Sequence, residues 1–343
     1  MNFGKRKRKI LSVIIKKHIE FGVPIGSKTV CNELDISVSS ATVRSEMAEL
    51  SELGYLDQPH TSAGRIPSCL GYRLYVNHLM EAELLSEDEK NFINGTLCSA
   101  ADDPEHLLDE TAKLLSNITN STAILTTPPN YKARIREVQF VITGKRNAML
   151  ILMTTTGIVQ NKLFRCNYNI TSELVDAFKR VINDKFKGKF LKDLNPESMS
   201  MLAATDSDMF LLMSPVLNAL MEATREALEI RIKVSGEANL LSADGFESDD
   251  AIKVFKFLRS KKDMLKILFT RERGMSIFIG EEDLHPGLGA VSVITSRYIV
   301  GGRSGAIGVI GPVRMDYSGL VARIEYLSGA VGGWLGRILE IDA

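Results

Sequence analysis

The sequence predicts a multidomain α+β chain: an N-terminal winged helix-turn-helix, then an α/β sheet domain interrupted by an insertion. Three observations predict it. Residues 38–73 read as a helix with one apolar stripe, followed at once by a hairpin rich in turn formers. Basic residues gather in the same region. Residues 1–80 hold eleven Lys/Arg against seven Asp/Glu, whereas residues 81–130 hold ten acids against two bases. Strand-like, then helical, then again strand-like runs fill the chain from Ala123 to Ile310.

Within the key helix Val43, Met47 and Leu50 recur at spacings of four and three and form the buried stripe. Ser39 or Ser40 caps its N-terminus, and Gly54 ends it. Helical geometry turns Ala41, Ser45 and Ala48 to the opposite face, with Thr42 and Arg44 flanking the stripe. Small side chains there let the backbone approach base edges, and Arg44 can reach a phosphate or a guanine. Glu49 and Glu52 would repel phosphate, so contact is expected from the first two turns.

Upstream, Ile10, Leu11, Ile14, Ile15 and Ile19 make an amphipathic first helix that stops near Gly22-Val23-Pro24. Ser27 is expected to cap a short second helix, Lys28 to Leu34, and residues 35–38 make the turn. Downstream, Tyr55-Leu56-Asp57 and Arg65-Ile66 suit two short strands around Gln58-Pro59-His60-Thr61-Ser62-Ala63-Gly64. His60 and Arg65 are expected near the tip, against sugar–phosphate or the minor groove. The residues assigned to DNA are thus Lys28, Ser39, Ser40, Ala41, Thr42, Arg44, Ser45, His60 and Arg65. The competing reading is a small helical domain whose surface hairpin binds protein. Lys5-Arg6-Lys7-Arg8-Lys9 reads either as an electrostatic arm or as a solvated, frayed tail.

Pro67 is expected to start a helix running to about Leu85, and an acidic linker helix bridges residues 86–104. A helix over Glu105 to Ile118 precedes strands at Ala123 to Thr126, Ile135 to Thr143, Ala148 to Thr155 and Ile158 to Cys166. Helices over Ser172 to Lys187 and Asp208 to Glu229 follow, then a strand, Ile230 to Val234. Asp249 to Phe269 reads as a helix or a pair. Strands return at Met275 to Ile279, Val291 to Ile299 and Ala306 to Ile310 before a last helix, Ser318 to Leu339. This order suits a ligand-sensing sheet of the GAF or PAS type.

Other classes find little support. The 343 residues are 45% hydrophobic, enough for two or three cores, and carry no net charge. No apolar run approaches the roughly 18 residues of a membrane span, and the basic start leads into no signal-peptide core, so the cytoplasm is expected. Cys31, Cys69, Cys98 and Cys166 form no C-x-x-C pair and read as free thiols. The chain has no phosphate loop, H-E-x-x-H or G-x-S-x-G, so no catalytic residue, cofactor or metal is assigned. Gly301-Gly302-Arg303-Ser304-Gly305 lies between two apolar runs and reads as a hairpin tip rather than a phosphate cradle.

Taken together, several motifs resemble the heat-inducible transcription repressor family of the HrcA type. They are Pro24-Ile25-Gly26-Ser27, Ser40-Ala41-Thr42-Val43-Arg44, Met47, Gly54-Tyr55, residues 59–67 (Pro59 to Pro67) and Gly71-Tyr72-Arg73-Leu74-Tyr75-Val76. Near the C-terminus they are Asn239-Leu240-Leu241, Ile279-Gly280-x-Glu282 and Gly311-Pro312-Val313-Arg314-Met315-Asp316-Tyr317. The resemblance implies a winged-helix domain (1–80), a linker helix region (81–104), a GAF-like domain (105–157 and 246–343) and an inserted dimerising domain (158–245). It also implies a homodimer that represses chaperone operons through a spaced inverted-repeat operator in double-stranded DNA and is kept active by the GroE-type chaperonin. The alternative is a metabolite-responsive regulator with a small-molecule site in the GAF-like domain. The chain departs from the family pattern at Ser45, where Asn is common, at Ser51 for Glu, at Cys69-Leu70 for an acid and Lys, and at Asp283 and Val313. Arg314 and Asp316 read as polar contacts that stabilise the fold.

Overall fold

The computed structural model describes residues 4–35, 38–60, 63–81, 83–130, 132–195, 207–242, 248–271, 274–280 and 288–339. Local signals account for the N-terminal module. Helix α1 (Lys5–Phe21) buries Ile10, Leu11, Ile14 and Ile15 and stops where Gly22 turns left-handed, at φ 71°. The basic run is therefore helical, part of its first two turns, and not a frayed tail. Helix α2 (Ser27–Glu33) is preceded by Gly26 as cap, so Ser27 lies inside the helix instead of capping it. Helix α3 (Ser40–Glu52) is capped by Ser39, whose hydroxyl accepts the Thr42 N–H at 3.1 Å. Strands β1 (Leu56–Asp57) and β2 (Ile66–Pro67) pair antiparallel. Pro67 belongs to β2, and α4 (Cys69–His78) starts one residue after the Ser68 cap and ends well before Leu85. Helices α5 (Glu87–Ser99) and α6 (Pro104–Thr119) lead into the body, each with an oxygen-bearing cap, Ser86 and Asp103.

The body is built on a five-stranded antiparallel sheet in the order β7 (Ile232–Ser235), β3 (Thr122–Thr126), β10 (Arg303–Pro312), β9 (Val291–Val300), β8 (Ser276–Ile279). Helices cover both faces, which is why its central strands read as unbroken apolar runs. Leu125, Ile294, Ile307 and Val309 share a core with α6 and with Leu320, Ile324, Leu327 and Val331 of α12 (Tyr317–Ile338). The alternate residues Ile124, Val291, Val293, Ala306 and Ile310 pack with α9 (Ala238–Leu241), α10 (Ser248–Arg259) and α11 (Lys261–Leu268). Gly301 and Gly302, at φ 54° and 71°, form the two-residue turn between β9 and β10.

A second sheet, β4 (Ile135–Ile142), β5 (Asn147–Thr154) and β6 (Val159–Arg165), is covered on one face by α7 (Ser172–Phe186) and α8 (Ser207–Leu228). Its separate core runs from Ala133 to Ala227. The expected division at 158 and 245 is corrected by this pairing. Strands β4 and β5 leave the body for the inserted unit, and β7 returns to the body sheet. The reason is pairing range: β4, β5 and β6 form a local meander with inward Val138, Leu150, Leu152 and Phe164, whereas β7 pairs with β3 across more than a hundred residues.

The N-terminal module sits against the body through the C-terminal motif. Arg314 Nη1 donates to the Ile19 carbonyl at 3.1 Å, and Arg73 Nη2 donates to that of Ile277 at 2.6 Å. The rings of Tyr72 and Tyr317 lie 5.7 Å apart, and His18 Nδ1 is 2.9 Å from the Tyr72 hydroxyl. Burial, aided by the Arg314 charge, lowers the His18 pKa to about 4. Asp316 caps α12 by accepting the Gly319 N–H at 3.2 Å. Glu282 and Asp283 lie outside the described residues. No described helix is long and apolar enough to cross a membrane.

Candidate nucleic-acid interface

Helix α3 presents its N-terminal half to solvent. Ser39, Ala41, Arg44 and Ser45 are exposed, Ser40, Thr42 and Ala48 half-buried, and Val43, Met47 and Leu50 face the core. The Ser27 and Ser40 hydroxyls meet at 2.9 Å, so α2 and α3 are tied together at the end that faces outward. Between α2, α3 and the hairpin lies an open cleft of about 670 Å³. Lys28, Arg44 and Arg65 line it together with Gly26, Ser27, Met47, Gln58, Ala63 and Gly64. Three cations and no carboxylate thus face one concave surface. Among the described residues Lys28 and Arg44 make no hydrogen bond or ion pair, leaving both free to meet an anion.

Arg65 is placed differently from expectation. It sits at the base of the hairpin rather than its tip, with its N–H and C=O paired to those of Ile25 at 2.9 Å each. Its Nε donates to the Ser51 hydroxyl at 2.8 Å, which swings the guanidinium against α3. His60 is exposed in the connecting loop and does not line the cleft, and Thr61 and Ser62 lie outside the described residues. Gly64 explains how the hairpin comes so close. A Cβ there would lie 2.4 Å from the Ile25 carbonyl oxygen.

Sequence reasoning missed Glu46. It is 6% exposed and accepts Arg6 Nε at 2.9 Å, with Arg6 Nη2 closer still. Lys7 Nζ lies 3.9 Å from Glu46 Oε2 and 2.5 Å from Glu49 Oε2, and its pKa is raised, chiefly by the Glu49 hydrogen bond. The basic run of α1 therefore orients α3 and neutralises its acids. A signal was present: Glu46 stands three residues after Val43 and four before Leu50, an acid on the apolar stripe.

The chain is similar to known proteins along its length. The family model of the HrcA protein C terminal domain matches residues 105–321. A heat-inducible transcription repressor HrcA from Desulforamulus reducens is 34% identical over 344 residues, covering 99% of each chain. One from Pelotomaculum thermopropionicum is 31% identical with the same coverage. A crystal structure of a hypothetical protein shares the fold, at a TM-score of 0.68 and 22% identity over 98% of this chain and 100% of that one.

Proposed function

Because the chain belongs to the heat-inducible transcription repressor family of the HrcA type, a family of repressors and not of enzymes, we propose that it represses chaperone operons by reading operator DNA with a winged helix-turn-helix. The observation that carries this reading is the cleft lined by Lys28, Arg44 and Arg65 with no acid. The first two turns of α3 enter the major groove, where Ala41 and Ser45 allow close approach and Arg44 reaches a base edge or a phosphate. Lys28 and Arg65 hold phosphates on either side, with the hairpin acting as the wing and His60 at its outer end. Ser39, Ser40 and Thr42 set the helix N-terminus that faces the backbone. Such work belongs in the cytoplasm with the DNA.

Reading an inverted repeat requires two copies of α3 at a fixed spacing, hence a symmetric dimer. The uncovered face of the three-stranded sheet supports a seat for the second copy. Across it run the rows Val141–Met149–Leu163 and Glu137–Met153–Val159, with Ile151 between them. Leu163 is 72% exposed in the single chain. The five-stranded sheet with helices on both faces serves as the GAF-like domain.

Control by the GroE-type chaperonin fits both the family and the body's topology. The body is assembled from segments on either side of the insertion, a non-local arrangement that folds slowly and exposes apolar strands on the way. The test is a gel shift on a chaperone-operon inverted repeat with purified protein, before and after mild heating. Operator binding should fall on heating and return faster with chaperonin and ATP. Equal recovery without chaperonin overturns the control, and no preference for the operator over random DNA overturns the repressor reading.

A further inference from the structure

A second cavity, of about 290 Å³, lies far from the DNA-facing cleft, where α6, the end of α12 and the inserted unit meet. Its wall is largely apolar: Leu108 comes from α6, Leu335 and Leu339 from α12, and Ile158 and Ala227 from the insertion. Among the lining cations, Arg231 is paired with Glu105. The lining acids Glu226 and Glu229 are likewise neutralised, by Lys162 and Lys261 at 2.5 Å each.

Arg303 is the exception. It is the first residue of β10, delivered by the Gly301-Gly302 turn, and it lines this cavity half-buried. Its Nη1 donates to the neutral Asn130 Oδ1 at 2.8 Å, and its buried Nη2 has no hydrogen-bond partner among the described residues. No described carboxylate lies within ion-pair distance of it. Burial lowers its pKa, as expected for a charge withdrawn from water without an opposite charge beside it. A half-buried guanidinium of this kind is completed best by a carboxylate, whose two oxygens match its planar fork.

We propose that this cavity binds a small organic carboxylate with an apolar body, the carboxylate on Arg303 and the body against the leucine and isoleucine wall. At about 30 Å³ for each water-sized group, the cavity admits roughly ten non-hydrogen atoms, the size of a short fatty acid. Because its walls come from the body, the linker-proximal α6 and the inserted unit, an occupant bridges all three. Its binding therefore adds to whatever holds the insertion in place against the sheet. The proposal goes beyond DNA reading and is tested without DNA.

The experiment is calorimetric titration of the full chain with octanoate, set against octanol and octylamine, which share its apolar body but not its charge. Saturable binding of octanoate alone is expected. Arg303→Gln, which keeps a donor for Asn130, should weaken it about tenfold or more, the loss of one charge-assisted contact. Ile158→Trp, at a half-buried wall position, should weaken it with Arg303 intact, and decides the matter if the first variant does not fold. Absence of octanoate binding, equal binding of octanol or octylamine, or a folded Arg303→Gln that binds like the parent overturns the proposal. Operator binding is unaffected by any of these outcomes, so the repressor reading stands or falls separately.

Discussion

Gly64→Ala tests the link between the hairpin and the DNA-facing cleft. A Cβ at Gly64 would lie 2.4 Å from the Ile25 carbonyl oxygen, 2.5 Å from its carbon and 2.9 Å from Gly26 N. All three are backbone atoms and cannot rotate away, so the hairpin must lift. Lifting breaks the reciprocal Ile25–Arg65 pair, two hydrogen bonds of 2.9 Å. At about 0.5–1.5 kcal/mol net for each, local stability should fall by about 1–3 kcal/mol. Amide hydrogen exchange reads this directly, because the bonded N–H groups belong to Ile25 and Arg65. Their protection should drop about five- to 150-fold, and operator affinity should fall with it as Arg65 and Ala63 leave the cleft wall. Gly26→Ala is the control. A Cβ there meets nothing within 4 Å, so protection at Ile25 and Arg65 should hold. Unchanged protection and unchanged operator affinity in Gly64→Ala would refute the reasoning.

Arg44→Ala should weaken operator binding by about 1–3 kcal/mol if it reads a base, at no cost to folding, since the side chain is exposed and unpaired; a fluorescence-anisotropy titration on operator and random DNA separates this from a phosphate contact, which would lower both alike and reduce the salt slope by about one. Arg65→Ala should weaken both DNAs together, and selective loss of discrimination would count against its place as a positioning group. Leu163→Glu puts a charge on the uncovered sheet face and should yield a folded monomer in sedimentation with weaker operator binding; a tight dimer would move the interface elsewhere. His18 is held neutral by burial, with a folded pKa of about 4 against about 6.5 in the unfolded chain. Between those values the unfolded chain binds more protons, so stability is complete above about pH 6.5 and declines as pH falls towards 4. The loss should be about 1–2 kcal/mol once solvent screening of a half-buried group is allowed for. Denaturation midpoints across that range should flatten in His18→Gln, and an unaltered slope would exclude His18 as the cause.

Several features of the interface could be read from neighbouring residues. The stripe Val43, Met47 and Leu50, the Ser39 cap and the turn-rich stretch before Arg65 depend on contacts within a few positions, and the chain carries those signals openly. The Arg65 side chain does not belong to this class. Its direction follows from Ser51, fourteen residues away, and from the Ile25 backbone, forty residues away. Reading it as a wing-tip residue was a judgement from position in the hairpin, and the hairpin's own docking overrules it. Glu46 was passed over for a similar reason: its partners are on another helix, Arg6 and Lys7, and no local pattern names them.

By itself the sequence determined the order and type of the elements, the capping and turn residues, the basic character of the first module and the two-residue Gly301-Gly302 turn. These arise from backbone propensity and from apolar periodicity, both of which act over one or two turns of chain. Only the tertiary structure decided which strands share a sheet. Strand β4 is as apolar as β3, yet it pairs with β5 while β3 pairs with β10 and β7. Only the fold brought Lys28, Arg44 and Arg65 to one cleft, carried Arg314 to the Ile19 carbonyl, and left Arg303 half-buried beside an apolar cavity. Each of these depends on which faces meet once all of them compete for burial. That competition is settled across the whole chain, and no window of sequence contains it.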